Sequence, residues 1–129
     1  MATTEVTTEN FNATIENNDI VLLDFWAEWC GPCRVFGPVF EKAAGEHEDI
    51  AFGKIDTEAQ QDLAAAFQIR SIPTLMAFRE KVLVFSQPGA LNGSQLEQVI
   101  DAVRGLDMTE VHASVAEQEK EAEASQLAG

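Results

Sequence analysis

The seven residues Ile20-Val21-Leu22-Leu23-Asp24-Phe25-Trp26 are apolar at every position but one and show no helical period. A short run of this kind suits a central strand covered on both faces, because a strand with one wet face would alternate apolar and polar residues. Such a strand needs neighbours on either side and helices above and below. Asp24 is the exception within it. Four residues after Trp26 the chain reads Cys30-Gly31-Pro32-Cys33, and a helical pattern follows at Phe36, Val39, Phe40, Ala43 and Ala44, the spacing of one packed face. Pro32 stands at or near the first helical position, where its missing N–H costs no helical bond. Pro38 is expected to interrupt this helix with a kink, since it deletes the bond to the Arg34 carbonyl and its ring crowds that group.

The remaining elements follow from the same periodicities. A short helix is expected from Thr8, with Glu9 in its first turn and Phe11 and Ile15 on one face. Ile50 to Asp56 reads as a second interior strand, made parallel to the first by the intervening helix. A short helix follows around Glu58 to Phe67. Leu75 to Phe78 and Val82 to Gln87 read as an antiparallel hairpin across Arg79, Glu80 and Lys81. Leu96, Val99, Ile100 and Val103 define a last amphipathic helix, for which Asn92 and Gln95 supply a capping box. The order is αβαβαββα, with room for a short strand before Thr8: an α/β chain with a central mixed sheet and helices on both faces.

With 129 residues, 46% of them hydrophobic, the chain is the size of one domain with a single core. Its net charge of −14 repels phosphate, which disfavours nucleic acid and anionic membranes and leaves protein partners as the expectation. No apolar run approaches the roughly 18 residues needed to span a bilayer. The first ten residues are polar and acidic, not basic and then apolar, so a cytoplasmic protein is expected. Residues 1–105 read as the domain. Residues 106–129 read as an acidic, Ala- and Glu-rich tail, flexible or weakly helical, with Met108, Val111 and Val115 as its one weak stripe.

The two cysteines, Cys30 and Cys33, are the only ones in the chain and are too close together to form a long-range disulfide framework. A zinc or iron–sulfur site needs two further ligands, and His47 and His112 lie far apart without paired spacing, so no metal is expected. Inert buried thiols remain an alternative, but redox exchange outweighs them. At the N-terminus of a helix, unpaired N–H groups and the helix dipole stabilise a thiolate on Cys30. Cys33, one turn further in, is placed to attack a mixed disulfide on Cys30. An exposed nucleophile at Cys30 and a buried resolving thiol at Cys33 are therefore expected, with Gly31-Pro32 between them influencing the redox poise. A carboxylate within an apolar strand is costly unless protonated or paired, and desolvation raises its pKa. That suits Asp24 to accept a proton near neutrality; the alternative is an ordinary Asp at a wet strand end.

Trp26-Ala27-Glu28-Trp29-Cys30-Gly31-Pro32-Cys33, Ile72-Pro73-Thr74 and Pro88-Gly89-Ala90 together resemble the active-site, cis-proline and glycine-loop motifs of bacterial thioredoxins. The match runs from about Glu9 to Arg104. The resemblance implies the thioredoxin fold and a protein-disulfide reductase that carries electrons from a thioredoxin reductase to disulfide-containing proteins. It implies no cofactor beyond the redox-active disulfide, and a monomer is expected. By the same resemblance Asp24 assists deprotonation of Cys33. Ile72 offers its backbone to an extended substrate, and Trp29, Pro32, Ile72, Pro73, Gly89 and Ala90 surround the reactive sulfur. The sequence departs from the family at Phe52, where many bacterial members place a lysine beside the aspartate. On this reading the stabilising cation is missing and Asp24 shifts further upward, unless Lys54, on the same strand face, compensates. An oxidase or isomerase on the same fold, and a binding subunit that needs no turnover, are the competing functions.

Overall fold

The computed structural model describes residues 2–128. Its centre is the apolar run, now strand β2 (Ile20–Trp26), and β2 is the middle strand of five. In chain order the other elements are β1 (Thr3–Glu5), α1 (Phe11–Glu16), α2 (Gly31–Glu46), β3 (Ala51–Asp56) and α3 (Gln61–Ala66), then β4 (Thr74–Arg79), β5 (Val82–Pro88), α4 (Gly93–Arg104) and α5 (Met108–Ala128). The sheet order is β1-β3-β2-β4-β5. β3 pairs parallel with both β1 and β2, while β4 pairs antiparallel with β2 and β5. The early strand for which the sequence left room is β1, the parallel edge.

Alternate residues of β2 feed two separate cores, as the two-residue period of a strand demands. Ile20 and Leu22 pack with Phe36 and Phe40 of α2, Phe52 of β3, and Leu96, Ile100 and Val103 of α4. Val21, Leu23 and Phe25 pack on the opposite face with Ile15, Leu63 and Phe78. Phe52 is almost wholly buried, its ring edge-on to Phe40 at 5.2 Å. A side chain that a lysine could have filled is spent here on aromatic packing.

Two local expectations are corrected. The first helix starts at Phe11 rather than Thr8, because the Thr8 N–H and hydroxyl both donate to Gln60 Oε1 and hold Thr8 outside the helix. Pro38 does not interrupt α2, which continues through it to Glu46. Buried residues before and after it, Phe36, Gly37, Phe40, Ala43 and Ala44, hold both halves on the sheet, so the loss of one helical bond is tolerated. Of the two alternatives for the acidic segment, flexible or weakly helical, the structure has the helical one, α5. Met108 is buried at its start and Val111 and Val115 are half-buried, but beyond Val115 the side chains through Leu127 are exposed.

The root of α5 is tied to the sheet by polar contacts. Arg79 Nη1 donates to the carbonyls of Val103, Arg104 and Leu106, which closes the C-terminal end of α4. Glu80 Oε1 then meets His112 Nε2 at 2.9 Å. At the other end of α4, Asn92 and Gln95 form the reciprocal capping box read from the sequence. His47, the C-cap of α2, pairs with Glu97 of α4 at 2.9 Å, so it serves as a tie between helices. No described helix is long and apolar enough to cross a membrane.

Gly53 allows a close approach that no other residue type permits. A methyl group there would lie 2.5 Å from Val6 Cγ2 and 3.0 Å from Leu23 Cδ2. Gly53→Ala is therefore expected to destabilise the protein by about 1–3 kcal/mol through overpacking. Urea unfolding of the variant should show a lower midpoint with an unchanged slope; an unchanged midpoint would mean that β1 moves aside freely.

Candidate functional site

β2 ends at Trp26, and the loop Ala27–Trp29 turns the chain directly into α2. That loop is fixed from within: Arg34 donates from Nε and Nη2 to the Glu28 carbonyl, at 3.1 and 2.9 Å. Cys30 is the N-cap of α2, with Gly31 and Pro32 in the first turn. Its Sγ accepts the Cys33 N–H at 3.2 Å, taking the place that an oxygen occupies in an ordinary N-cap. Cys30 and Cys33 are joined as a disulfide with Cα atoms 5.3 Å apart.

The expected contrast of an exposed Cys30 and a buried Cys33 is not present. The two residues are 4% and 5% exposed. They differ in what each sulfur faces. Cys30 Sγ points at the helix N-terminus and lies 3.6 Å from the Ile72 carbonyl. Cys33 lines a crevice of about 360 Å³ between α2 and β3, together with Trp26, Gly37 and Lys54. Burial of both arises because Ala27, Trp26 and Ile72 pack around the pair.

Asp24 lies beneath this arrangement, fully buried, and neither carboxyl oxygen has a hydrogen-bond partner among the described residues. Burial pushes its pKa up from 3.8 to about 7, with Lys54 pulling the other way and Glu41 adding to the rise. No cation stands at position 52, and Lys54, the substitute read from the sequence, supplies one beside Asp24. Phe52 aligns with Leu22, whereas Lys54 stands directly beside Asp24 in the parallel β2–β3 register. Lys54 Nζ also lies 5.0 Å from the centre of the Trp26 ring, a cation–π contact.

The other sequence-derived residues gather on the Cys30 side. The Ile72–Pro73 bond is cis, and the Pro73 carbonyl accepts the Gly89 N–H at 2.8 Å, which brings the glycine loop to the proline turn. Gly89 has φ = 104°, a conformation that strains any side chain. Pro32, Gly89, Ala90 and Trp29 are exposed and Ile72 is half-buried, but Pro73 is buried and does not belong to the exposed rim. Trp29 is 67% exposed, and its indole N–H donates to Glu58 Oε1 at 2.6 Å. Two further participants were not read from the sequence. Glu58 anchors Trp29 from across 29 residues, and Val35, 69% exposed, extends the apolar surface along α2. Among the described residues no cluster of His, Cys, Asp and Glu is arranged to hold a metal ion.

A disulfide at a helix N-terminus, above an unpaired buried carboxyl and beside a cis-proline turn, is equipped for thiol–disulfide exchange. Comparison with known proteins agrees. The Thioredoxin family model matches residues 2–102. A Streptomyces coelicolor relative with a thioredoxin name is 60% identical over 121 residues, which cover 94% of this chain and 90% of that one. The thioredoxin of Porphyra purpurea is 44% identical over 103 residues, 78% of this chain and 96% of its own. Among solved structures, a mutant thioredoxin from Halobacterium salinarum superposes with a TM-score of 0.73 at 36% identity, covering 80% of this chain and 91% of that chain. Plasmodium falciparum thioredoxin gives 0.71 at 32% identity, covering 76% and 96%. The chain belongs to the thioredoxin family and is a thiol–disulfide oxidoreductase whose redox pair is Cys30 and Cys33.

Proposed function

We propose that the chain is a general protein-disulfide reductase with Cys30 as nucleophile, Cys33 as resolving thiol and Asp24 as proton acceptor. It works in the cytoplasm as a monomer, taking electrons from a thioredoxin reductase and needing no cofactor beyond its own dithiol. The observation that carries the division of labour is the Cys33 N–H on Cys30 Sγ: the sulfur at the cap receives the positive end of α2.

In the reduced protein the Cys30 thiolate attacks one sulfur of a substrate disulfide. A Cys30–substrate bond forms, the substrate S–S bond breaks, and the departing sulfur leaves as a thiolate that takes a proton from solvent. Cys33 then gives its thiol proton towards the Asp24 carboxylate, and the new thiolate attacks Cys30 Sγ. The Cys30–Cys33 disulfide forms and the second substrate sulfur departs. Two electrons have passed from the dithiol to the substrate, and the reductase returns them with two protons. An extended substrate segment would pair with the Ile72 backbone beside Pro73, flanked by Trp29, Gly89 and Ala90; pairing through main chain makes few demands on sequence.

A disulfide-linked peptide tests the roles of the sulfurs. Cys33→Ser should accumulate a stable mixed disulfide through Cys30, Cys30→Ser should accumulate none, and both should lose turnover by roughly three orders of magnitude. Accumulation on Cys33 instead would reverse the assignment. Turnover with NADPH and a bacterial thioredoxin reductase tests the proposed donor.

Asp24 predicts a pH dependence of stability. Its folded pKa of about 7 lies above the unfolded value of 3.8, so the stabilising contribution of the neutral form is complete below pH 4 and lost as the pH rises through 7. Asp24→Asn should accordingly be more stable than the parent at pH 8, by about 2–4 kcal/mol, with no such gain at pH 4. The same substitution should slow release of the mixed disulfide at neutral pH. Denaturant curves at the two pH values and a single-turnover assay measure these; an equal effect on stability at both pH values contradicts the account.

A further inference from the structure

The glycine loop that closes on the proline turn is flanked on both sides in sequence by residues of a second opening. Gln87, before Pro88-Gly89-Ala90, and Leu91, after it, line a groove of about 310 Å³ between β5 and α4, with Phe85, Gln95, Gln98, Val99 and Ala102. Because the Gly89 N–H is bonded to the Pro73 carbonyl, the groove begins directly behind the rim that faces Cys30. We propose that this groove is an exosite: it takes an extended, uncharged segment with apolar side chains that flanks the reactive cysteine of the substrate protein. The inference rests on the reading of the chain as a protein-disulfide reductase with Cys30 as nucleophile.

The lining determines what the groove accepts. Phe85, Leu91 and Val99 are half-buried and rest on the core that Leu22 and Phe36 share, so their outward faces make an apolar floor that holds its position. Gln87, Gln95 and Gln98 stand exposed along it. A carboxamide both donates and accepts, which are the two capacities that a peptide group presents. Gln95 is held in place, its Oε1 accepting the Asn92 N–H at 2.9 Å, and offers its NH2. From Gln95 to Ala102 the helix advances about two turns, roughly 10 Å, which about three extended residues match.

Charge distinguishes this groove from the crevice on the Cys33 side. Charged residues make up 23% of the chain, and the crevice includes Glu28, Arg34, Glu41 and Lys54, whereas no residue lining the groove is charged. A carboxylate or ammonium pressed on Phe85, Leu91 and Val99 would lose hydration with no opposite charge to replace it, so charged flanks are rejected at contact. An uncharged flank buries apolar surface there and escapes the repulsion that a net charge of −14 exerts on acidic proteins. The two openings therefore divide the site: ionic groups border the resolving sulfur, and neutral ones guide the substrate that arrives at Cys30.

The test uses the full chain and two disulfide-linked peptides with the same reactive cysteine, one ending just beyond it and one extended by about eight uncharged residues that include leucine and valine. The readout is the ratio of kcat/KM, long over short, which cancels differences in the dithiol itself. The parent should favour the long peptide by about tenfold, through KM with kcat unchanged, and the preference should survive high salt. Gln98→Glu and Ala102→Glu, at exposed positions on the groove wall, should each cut the ratio by about three- to tenfold. Ser94→Glu, on the α2 side of the same helix, should keep the parent ratio. Glutamates in the extension of the long peptide should abolish its advantage. In Cys33→Ser, the trapped long peptide should shift the amide resonances of Gln98, Val99 and Ala102. A parent ratio near one, a preference that high salt removes, an equal loss in Ser94→Glu, or a trapped peptide that leaves α4 unshifted would overturn the exosite and leave the reductase standing. Failure of Cys33→Ser to trap either peptide on Cys30 would overturn the reductase reading instead.

Discussion

Strand β2 is buried along both faces, and its burial determines where the chemistry can occur. Its alternating side chains hold two helical layers against the sheet, so the strand cannot slide without turning one core out to solvent. Its end is therefore a fixed point. The three-residue turn Ala27–Trp29, pinned by Arg34, carries that fixed point to the first N–H groups of α2, and Cys30 caps the helix with sulfur. The Cys30 sulfur is thus positioned by a strand buried on both faces and by the helix that follows it.

The same strand supplies Asp24, at a cost to stability above pH 4 that the two cores must offset. A neutral residue would pack there without that cost. The carboxyl is tolerated because the parallel register places Lys54 beside it, while Phe52, one step earlier on the same face, completes the aromatic core with Phe40. The chain therefore divides between adjacent positions of β3 two tasks, packing and charge, and moves the cation towards the open edge of the crevice. The two sulfurs differ in what they face rather than in depth, since both are buried to the same extent.

Much of this was legible in the residues because the signals are local. The unbroken apolar run located β2, the Asn92–Gln95 spacing located the start of α4, and the dithiol between strand and helix located the site. What was not legible depends on contacts between distant segments. Thr8 looks like a helix start until Gln60, 52 residues away, takes its polar groups. Pro38 looks like a break until packing on both sides of it is counted. The partner of Trp29 is Glu58, in a loop whose position the local sequence does not specify. The two-residue period put Lys54 on the face of Phe52, and the strand register is what sets it directly beside Asp24. The equal burial of Cys30 and Cys33 follows from Ile72 and Ala27 closing over the pair, which no local pattern records.

The central claim is that the helix N-terminus separates the two thiols chemically although their burial does not. Titration of Cys30 and Cys33 by Cβ carbon NMR in the reduced protein tests it most directly. The account predicts Cys30 well below the ordinary cysteine value of about 8.5 and Cys33 above it. Two thiols titrating together near that value, or Cys33 as the more acidic of the pair, would contradict it.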